Sequence, residues 1–166
     1  MDRVQNITRL TEERNLRDMI EYRDYQLAII DLGTSIIQVH DFLYLAMEVR
    51  TGKTLTSLGI CENLNVEHVL FLTKKKAISS ITNDFDMLCP TNFILFTINY
   101  ESMHKLPDVK WDVIICDEAH SLGAFAKPNK RAKAVKELIQ KCNSKVILMS
   151  GTPTPESYSQ MYHQVY

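Results

Sequence analysis

The sequence lacks the features that mark secreted, membrane-spanning and zinc-binding proteins. Its four cysteines are scattered without a C-x-x-C pair, so we expect reduced thiols rather than disulfides or a zinc site. The start of the chain is polar and charged, unlike a signal peptide, and no apolar run approaches membrane length. These absences predict a cytoplasmic protein without a membrane partner.

Overall charge and repetition also give little information about function. The formal net charge is −1, which gives no global hint of a nucleic-acid partner, and there is no internal repeat or low-complexity tract. The length of 166 residues corresponds to one domain. Seven basic residues lie between Lys127 and Lys145 against one acid, Glu137. This basic segment is either a solvated helix face or a track for a phosphate backbone.

Short apolar runs alternate with helical patterns along the chain. Near-continuous apolar runs are typical of strands buried on both faces, and their alternation with helices predicts a mainly parallel sheet covered on both sides. The predicted strands are 42–45, 68–73, 93–97, 111–116 and 145–149. The predicted helices are 11–22, 25–37 with Gly33 as a candidate interruption, 55–64, 74–85, a short one at 100–106, 131–141 and 155–166, with a loop at 123–129.

The unusual polar motifs follow the predicted strands. In open parallel sheets, ligands bind at the carboxyl ends of the strands. Because every motif falls at such an end, we expect one functional edge of the sheet. The motifs are the loop 46–54, Thr73-Lys74, Asn99-Tyr100-Glu101-Ser102, Asp117-Glu118-Ala119-His120 and Ser150-Gly151-Thr152.

The segment from Ala46 to Thr54 has the layout of a phosphate-binding loop, because it lies between a strand and a helix and ends in Gly-Lys-Thr. Gly52 lets the backbone approach a polyphosphate, Lys53 reaches the outer phosphates, and the Thr54 hydroxyl is a ligand for Mg²⁺. Met47 stands where the strict pattern has glycine. The loop alone is therefore a weaker signal than the full set of motifs.

Two adjacent carboxylates complete the predicted chemistry. Asp117 is suited to hold Mg²⁺, and Glu118 is suited to deprotonate a water for attack on a γ-phosphate. An acidic turn after a strand is the alternative, and the phosphate loop in the same sheet favours the catalytic interpretation. His120 is either a loop histidine or a coupling residue, and Ser150 and Thr152 either cap a helix or connect the acids to a moving part.

Two further features allow a structural and a functional interpretation. Lys74, Lys75 and Lys76 open a helix, where the dipole disfavours positive charge, so a nearby anion would explain them; a solvated lysine face is the alternative. Gln26 has the donor and the acceptor needed to read an adenine edge, and it is otherwise a surface helix residue.

In this order, the motifs resemble those of the first RecA-like domain of superfamily 2 helicases and translocases. The best match is the Swi/Snf-like DEAH-box branch and its compact phage and prokaryotic relatives. The resemblance covers residues 23–153 and implies a three-layer RecA-like P-loop fold over 23–166, preceded by an N-terminal helical extension at 1–22. The matching segments are Arg23-Asp24-Tyr25-Gln26, Leu45 to Thr54, Phe71-Leu72-Thr73-Lys74, Thr97 to Glu101, Asp117 to His120 and Ser150 to Pro153.

The resemblance implies a role for each motif in an ATPase that uses Mg²⁺ and acts on nucleic acid, with DNA as the expected polymer. The implied catalytic residues are Lys53, Asp117, Glu118 and His120, and the implied metal ligands are Thr54 and Asp117. The implied nucleotide contacts are Gln26, Arg50, Thr51, Gly52, Lys53 and Thr54; the coupling residues are Ser150 and Thr152; and the nucleic-acid contacts are Thr73, Lys74, Asn99 and Tyr100. Such folds also place the Ser-Gly-Thr strand beside the phosphate-loop strand.

A complete motor of this family has a second RecA-like domain that supplies arginines to the transition state. Only residues 154–166 follow the last motif, so we expect that domain to be missing and this chain alone to hydrolyse ATP barely, if at all. A stand-alone nucleotide-binding or regulatory module is the alternative, although the intact Lys53, Asp117 and Glu118 argue against a relic. A small-molecule phosphotransferase would share the loop but has no evident use for the Asp-Glu-Ala-His and Ser-Gly-Thr motifs.

Overall fold

Five parallel strands form the centre of the computed structural model, which describes residues 21–48, 50–90, 92–119 and 129–151. The strands are β1 (Phe42–Ala46), β2 (His68–Thr73), β3 (Ile94–Asn99), β4 (Val113–Cys116) and β5 (Lys145–Ser150). Their order in the sheet is β1-β5-β4-β2-β3, and all four pairings are parallel. The predicted neighbours β1 and β5 pair from Phe42↔Val146 to Ala46↔Ser150, which confirms that expectation.

In the described part of the chain, four α-helices and two 3₁₀ turns precede or connect these strands. They are α1 (Asp24–His40), α2 (Lys53–Asn63), a 3₁₀ turn at Lys75–Ala77, α3 (Ile78–Leu88), a 3₁₀ turn at Tyr100–Lys105 and α4 (Lys130–Cys142). The helices predicted at 11–22 and 155–166 lie outside the described residues, as does most of the loop predicted at 123–129. Within the described part of the chain, no helix is both long and apolar enough to cross a membrane.

The three inner strands, β2, β4 and β5, bury both faces, as their apolar runs predict, whereas Ile94 and Phe96 of the edge strand β3 are exposed. Along β4, Val113 and Ile115 belong to one hydrophobic cluster, with residues of α1, α2 and α3, whereas Ile114 and Cys116 belong to a second cluster, with residues of α4. Because successive side chains of a strand point to opposite faces, helices must cover the sheet on both sides. This is the predicted three-layer α/β arrangement.

Gly33 does not interrupt α1, so that part of the sequence-based prediction is wrong. The helix is continuous, and Gly33 is buried where α1 crosses α2. A Cβ at this position would lie 2.8 Å from Ile60 Cδ1 and 3.1 Å from Leu43 Cδ2. The glycine therefore permits a close helix approach, and packing outweighs its low helix propensity.

The helix predicted over 74–85 begins later and extends further than the sequence suggested. Lys74 is extended, a 3₁₀ turn follows at Lys75–Ala77, and α3 runs from Ile78 to Leu88. The lysines therefore precede α3 instead of occupying its first turn. This placement removes most of the helix-dipole penalty that the sequence suggested.

Candidate nucleotide site and its carboxylates

The segment between β1 and α2 has the predicted strand-loop-helix layout. Gly52 is the residue before α2 and has left-handed backbone angles, φ 79° and ψ 39°. No side chain of the described residues caps this helix, so the N–H groups of its first turn point towards the loop without an intrahelical acceptor. Such a helix start attracts anions, because unpaired N–H groups and the helix dipole act together.

Met47, which stands in place of the first glycine of the strict pattern, packs into the core. Its side chain is buried in the hydrophobic cluster that includes α1 and α2. Its N–H donates to the carbonyl of Ser150 at 3.3 Å, which continues the pairing of β1 with β5 by one residue. The position therefore behaves as an extension of the strand, which explains why an apolar side chain is accommodated there.

Helix α1 supports the loop through two neighbouring side chains. Gln26 is buried, its Oε1 accepts from the Arg23 N–H at 2.9 Å, and its Nε2 donates to the Gly52 carbonyl at 3.4 Å. The Tyr25 hydroxyl donates to the Thr51 carbonyl at 2.9 Å. The sequence assigned Tyr25 no role of its own within the segment Arg23-Asp24-Tyr25-Gln26, and its position beside Gln26 is the one sequence signal of this contact.

The loop is also braced internally. The Thr51 hydroxyl donates to the Glu48 carbonyl at 2.6 Å, and the Thr56 hydroxyl donates to the Gly52 carbonyl at 2.9 Å. Arg50 is exposed and has a positive φ of 65°. Lys53 and Thr54 are partly exposed at the start of α2, where their side chains are accessible to a ligand.

Asp117 follows β4 and is held by three neighbours. The Thr73 hydroxyl donates to Asp117 Oδ2 at 2.8 Å, and the Glu118 N–H donates to Oδ1 at 2.9 Å. The Tyr100 hydroxyl donates to the Asp117 backbone carbonyl at 2.6 Å. The carboxylate is thereby fixed in orientation, and since each oxygen has two lone pairs, each retains an acceptor site.

The register of the sheet explains these contacts. Leu72 pairs with Cys116 on adjacent parallel strands, and the next residues in step are Thr73 with Asp117 and Lys74 with Glu118. Thr73 is fully buried and Tyr100 is 6% exposed. Both were predicted nucleic-acid contacts, but the structure brings them to the aspartate and leaves their side chains little or no exposed surface.

Glu118 forms an ion pair with Lys74, the residue after β2. The Lys74 side chain is 48% exposed and the Glu118 side chain 40% exposed, so solvent reaches both partners. Glu118 also has a positive φ of 50°, which is uncommon for a residue with a side chain. Glu118 is therefore a nearby anion of the kind that the sequence analysis considered for the lysine run, and it contacts Lys74.

Tyr100 connects the carboxylates to α4. The Arg131 guanidinium lies 4.7 Å from the centre of the Tyr100 ring, and Arg131 also pairs with Glu101 at 2.5 Å. Burial raises the pKa of Tyr100 well above its ordinary value, so the phenol remains a hydrogen-bond donor. The Asn99 amide donates to Glu101, and this bond, with smaller help from the backbone and Arg131, lowers the pKa of that carboxyl.

The basic residues near α4 are partly committed to structural pairs. Lys141 pairs with Asp108 at 3.2 Å, and Lys145 pairs with Asp41. Lys133 and Lys136 are exposed. With Arg131, three of the six described basic residues of this segment are therefore engaged within the fold, and the contacts favour a solvated helix face over a dedicated phosphate track.

The loop and the acids lie at the same edge of the sheet. Strand β5 separates β1 from β4, which puts the two carboxyl ends about 10 Å apart at the usual strand spacing. Ser150 ends β5 between them and is buried. The predicted positions of His120 and Thr152 lie outside the described residues.

Oxygen donors suited to Mg²⁺ are present at this edge. Asp117 provides a carboxylate with acceptor capacity, and Thr54 provides a hydroxyl, which is the hard-oxygen chemistry that Mg²⁺ prefers. No group of three or more His, Cys, Asp or Glu side chains suited to a metal occurs among the described residues. A metal here would therefore complete its ligand sphere with phosphate oxygens and water.

Comparisons with known proteins agree with this geometry. The model of the SNF2-related domain family matches residues 60–165. Among solved structures, the Sulfolobus solfataricus SWI2/SNF2 ATPase core in complex with dsDNA matches with a TM-score of 0.72 at 20% identity, covering 87% of this chain and 35% of that one. No match was found among curated proteins.

Two type ISP restriction-modification enzymes have the same fold in part. A nuclease-deletion mutant of LlaGI in complex with a DNA substrate mimic matches with a TM-score of 0.60 at 20% identity. The match covers 82% of this chain and 18% of the LlaGI chain. DNA-bound LlaBIII has a TM-score of 0.56 at 24% identity over 84% of this chain and 13% of its own. The chain thus spans about a third or less of the length of these three structures.

Proposed function

Because the chain belongs to the family of SNF2-related domains, we propose that it is the ATP-binding half of a nucleic-acid-dependent ATPase, a helicase or a double-stranded DNA translocase. The observation that carries this proposal is the single sheet edge shared by the loop before α2 and the acids after β4. The relatives bound to DNA support DNA as the polymer.

In the proposed mechanism, the loop binds the triphosphate. Backbone N–H groups at the start of α2 and the Lys53 ammonium offset phosphate charge, with Arg50 and Thr51 beside them. Thr54 and Asp117 would hold Mg²⁺, which would supply positive charge opposite the phosphate oxygens. The Gln26 amide already bonds to Arg23 and Gly52, so its proposed adenine contact would use its remaining N–H and lone pair.

Glu118 is the proposed general base, and it accepts a proton from the water that attacks the γ-phosphate. Ser150 ends the strand between the loop and the acids, which supports a role in relaying hydrolysis to movement, together with His120 and Thr152. Arginines from a second RecA-like domain would contribute about 10³–10⁵ in rate, so we propose that this domain alone is nearly inactive.

The test compares wild type with Glu118→Gln in the full-length protein that carries this domain, with and without duplex DNA. We expect duplex DNA to stimulate ATP hydrolysis and Glu118→Gln to reduce turnover by about 10²–10⁴-fold while nucleotide binding persists. A rate that DNA does not change would contradict the motor assignment. Nucleotide binding without any hydrolysis would instead favour the stand-alone binding module.

A further inference from the structure

We propose that Lys74 is a positioning residue that restrains Glu118 through a resting ion pair, and that a nucleic-acid backbone weakens this pair by competing for Lys74. This inference rests on the proposed function and adds a means by which nucleic acid controls the same site. The observation that carries it is the ion pair between the residue after β2 and the proposed base after β4.

The ion pair is suited to exchange because both partners are accessible. Their exposed fractions of 48% and 40% keep them in contact with solvent, where a single ion pair is weak. A phosphodiester presents the same kind of oxygen anion to Lys74, and it does so in a row of charges. Lys75 and Lys76 are also exposed next to Lys74, so a backbone approaching this turn meets three ammonium groups.

The pair restrains the base because a carboxylate oxygen bound to an ammonium is a poorer acceptor for a water proton. When Lys74 turns towards a phosphate, Glu118 Oε2 loses the Lys74 ammonium and becomes a better acceptor for a proton of the attacking water. Asp117 is unaffected by this exchange, since Thr73 and the Glu118 N–H fix its carboxylate. The metal ligand therefore remains in position while the base changes partner.

The neighbouring contacts keep the exchange local. Thr73 is buried and bonded to Asp117, so the backbone on one side of Lys74 is fixed. On the other side, the 3₁₀ turn begins at Lys75, and the Ala77 N–H donates to the Lys74 carbonyl at 2.9 Å. The Lys74 side chain can consequently change direction without movement of the strand.

The test is the ATPase rate of Lys74→Ala in the full-length protein, measured without nucleic acid and with saturating duplex DNA. We expect the DNA-free rate to rise about two- to fivefold, the range that a partly exposed ion pair supports, and the fold stimulation by DNA to fall by the same factor. Lys74→Arg should restore the low DNA-free rate, because it retains the charge.

Lys136→Ala is the matched control, since it removes one exposed positive charge from α4, and Lys136 has no ion pair within the described part of the chain. It should change neither the DNA-free rate nor the stimulation by DNA. A DNA-free rate of Lys74→Ala that is unchanged or lower, or one that Lys136→Ala matches, would overturn the inference. If wild type shows no DNA stimulation at all, the proposed function fails instead.

A structural readout separates restraint from a general loss of stability. With ¹³C-labelled glutamate, the Glu118 carboxyl resonance of this chain should shift on addition of duplex DNA and should shift in the same direction in Lys74→Ala without DNA. A carboxyl resonance that Lys74→Ala leaves unchanged would show that the pair does not restrain Glu118.

Discussion

Substitution of Gly52 by alanine tests the geometry of the loop directly. Gly52 has a φ of +79°, and an added Cβ would lie 2.3 Å from Gln26 Nε2, well inside contact distance. The left-handed backbone costs an alanine about 1–2 kcal/mol. Displacing the Gln26 amide from the Gly52 carbonyl costs about 0.5–1 kcal/mol more, so the total loss in unfolding free energy should be about 2 kcal/mol.

The measurement is a double-mutant cycle by urea denaturation of wild type, Gly52→Ala, Gln26→Ala and the double variant. Removing the Gln26 side chain relieves the close approach but not the backbone cost. We therefore expect Gly52→Ala to be less destabilising in the Gln26→Ala background by about 0.5–1 kcal/mol. Additive effects within error would refute the claim that Gln26 fixes the loop through Gly52.

Three further outcomes follow from individual contacts. Thr73→Val, which keeps shape but removes the hydroxyl bonded to Asp117, should lower Mg²⁺-dependent ATP turnover, whereas Thr73→Ser should retain it; equal rates would remove the positioning role. Tyr25→Phe should weaken binding of a fluorescent ATP analogue while changing unfolding free energy by less than about 1 kcal/mol, because the lost bond to Thr51 is exposed. Burial, with help from Asp117, raises the pKa of Cys116 from 9.0 to about 12. The protonated thiol therefore contributes fully to the unfolding free energy below pH 9, and this contribution is lost as pH rises from 9 to 12. Between pH 8 and pH 10, Cys116→Val should lose less unfolding free energy than wild type.

The sequence alone was sufficient to predict the sheet edge, because that prediction depends on local information. Apolar runs define the strands, and the polar residues after each run must share an edge once the strands are parallel. The continuous burial of β4 and the start of α2 directly after Gly52 agree with these patterns. The placement of Asp117 and Ser150 at strand ends required no knowledge of which strands are neighbours.

What the sequence could not give is the contact between strands that are distant in the chain. Strand β4 inserts between β5 and β2, and this neighbourhood brings Thr73 to Asp117 across 44 residues of sequence. The close approach at Gly33 could not be predicted for the same reason, because helix propensity does not indicate which distant residues pack against a helix. The sequence also did not indicate that the Tyr25 hydroxyl would donate to the Thr51 carbonyl, because the two residues are 26 positions apart.

The register of the sheet also explains why two adjacent residues of one motif, Thr73 and Lys74, contact different acids. Successive residues at the end of β2 point to opposite sides, so Thr73 is buried against Asp117 while Lys74 is exposed beside Glu118. A change in the surroundings of Lys74 therefore acts on the proposed base without disturbing the proposed metal ligand. If nucleic acid reached Asp117 through Thr73 instead, it would have to open a buried hydrogen bond, which costs more than exchanging an exposed ion pair. The smaller cost supports the proposal that nucleic acid would act on this site through Lys74.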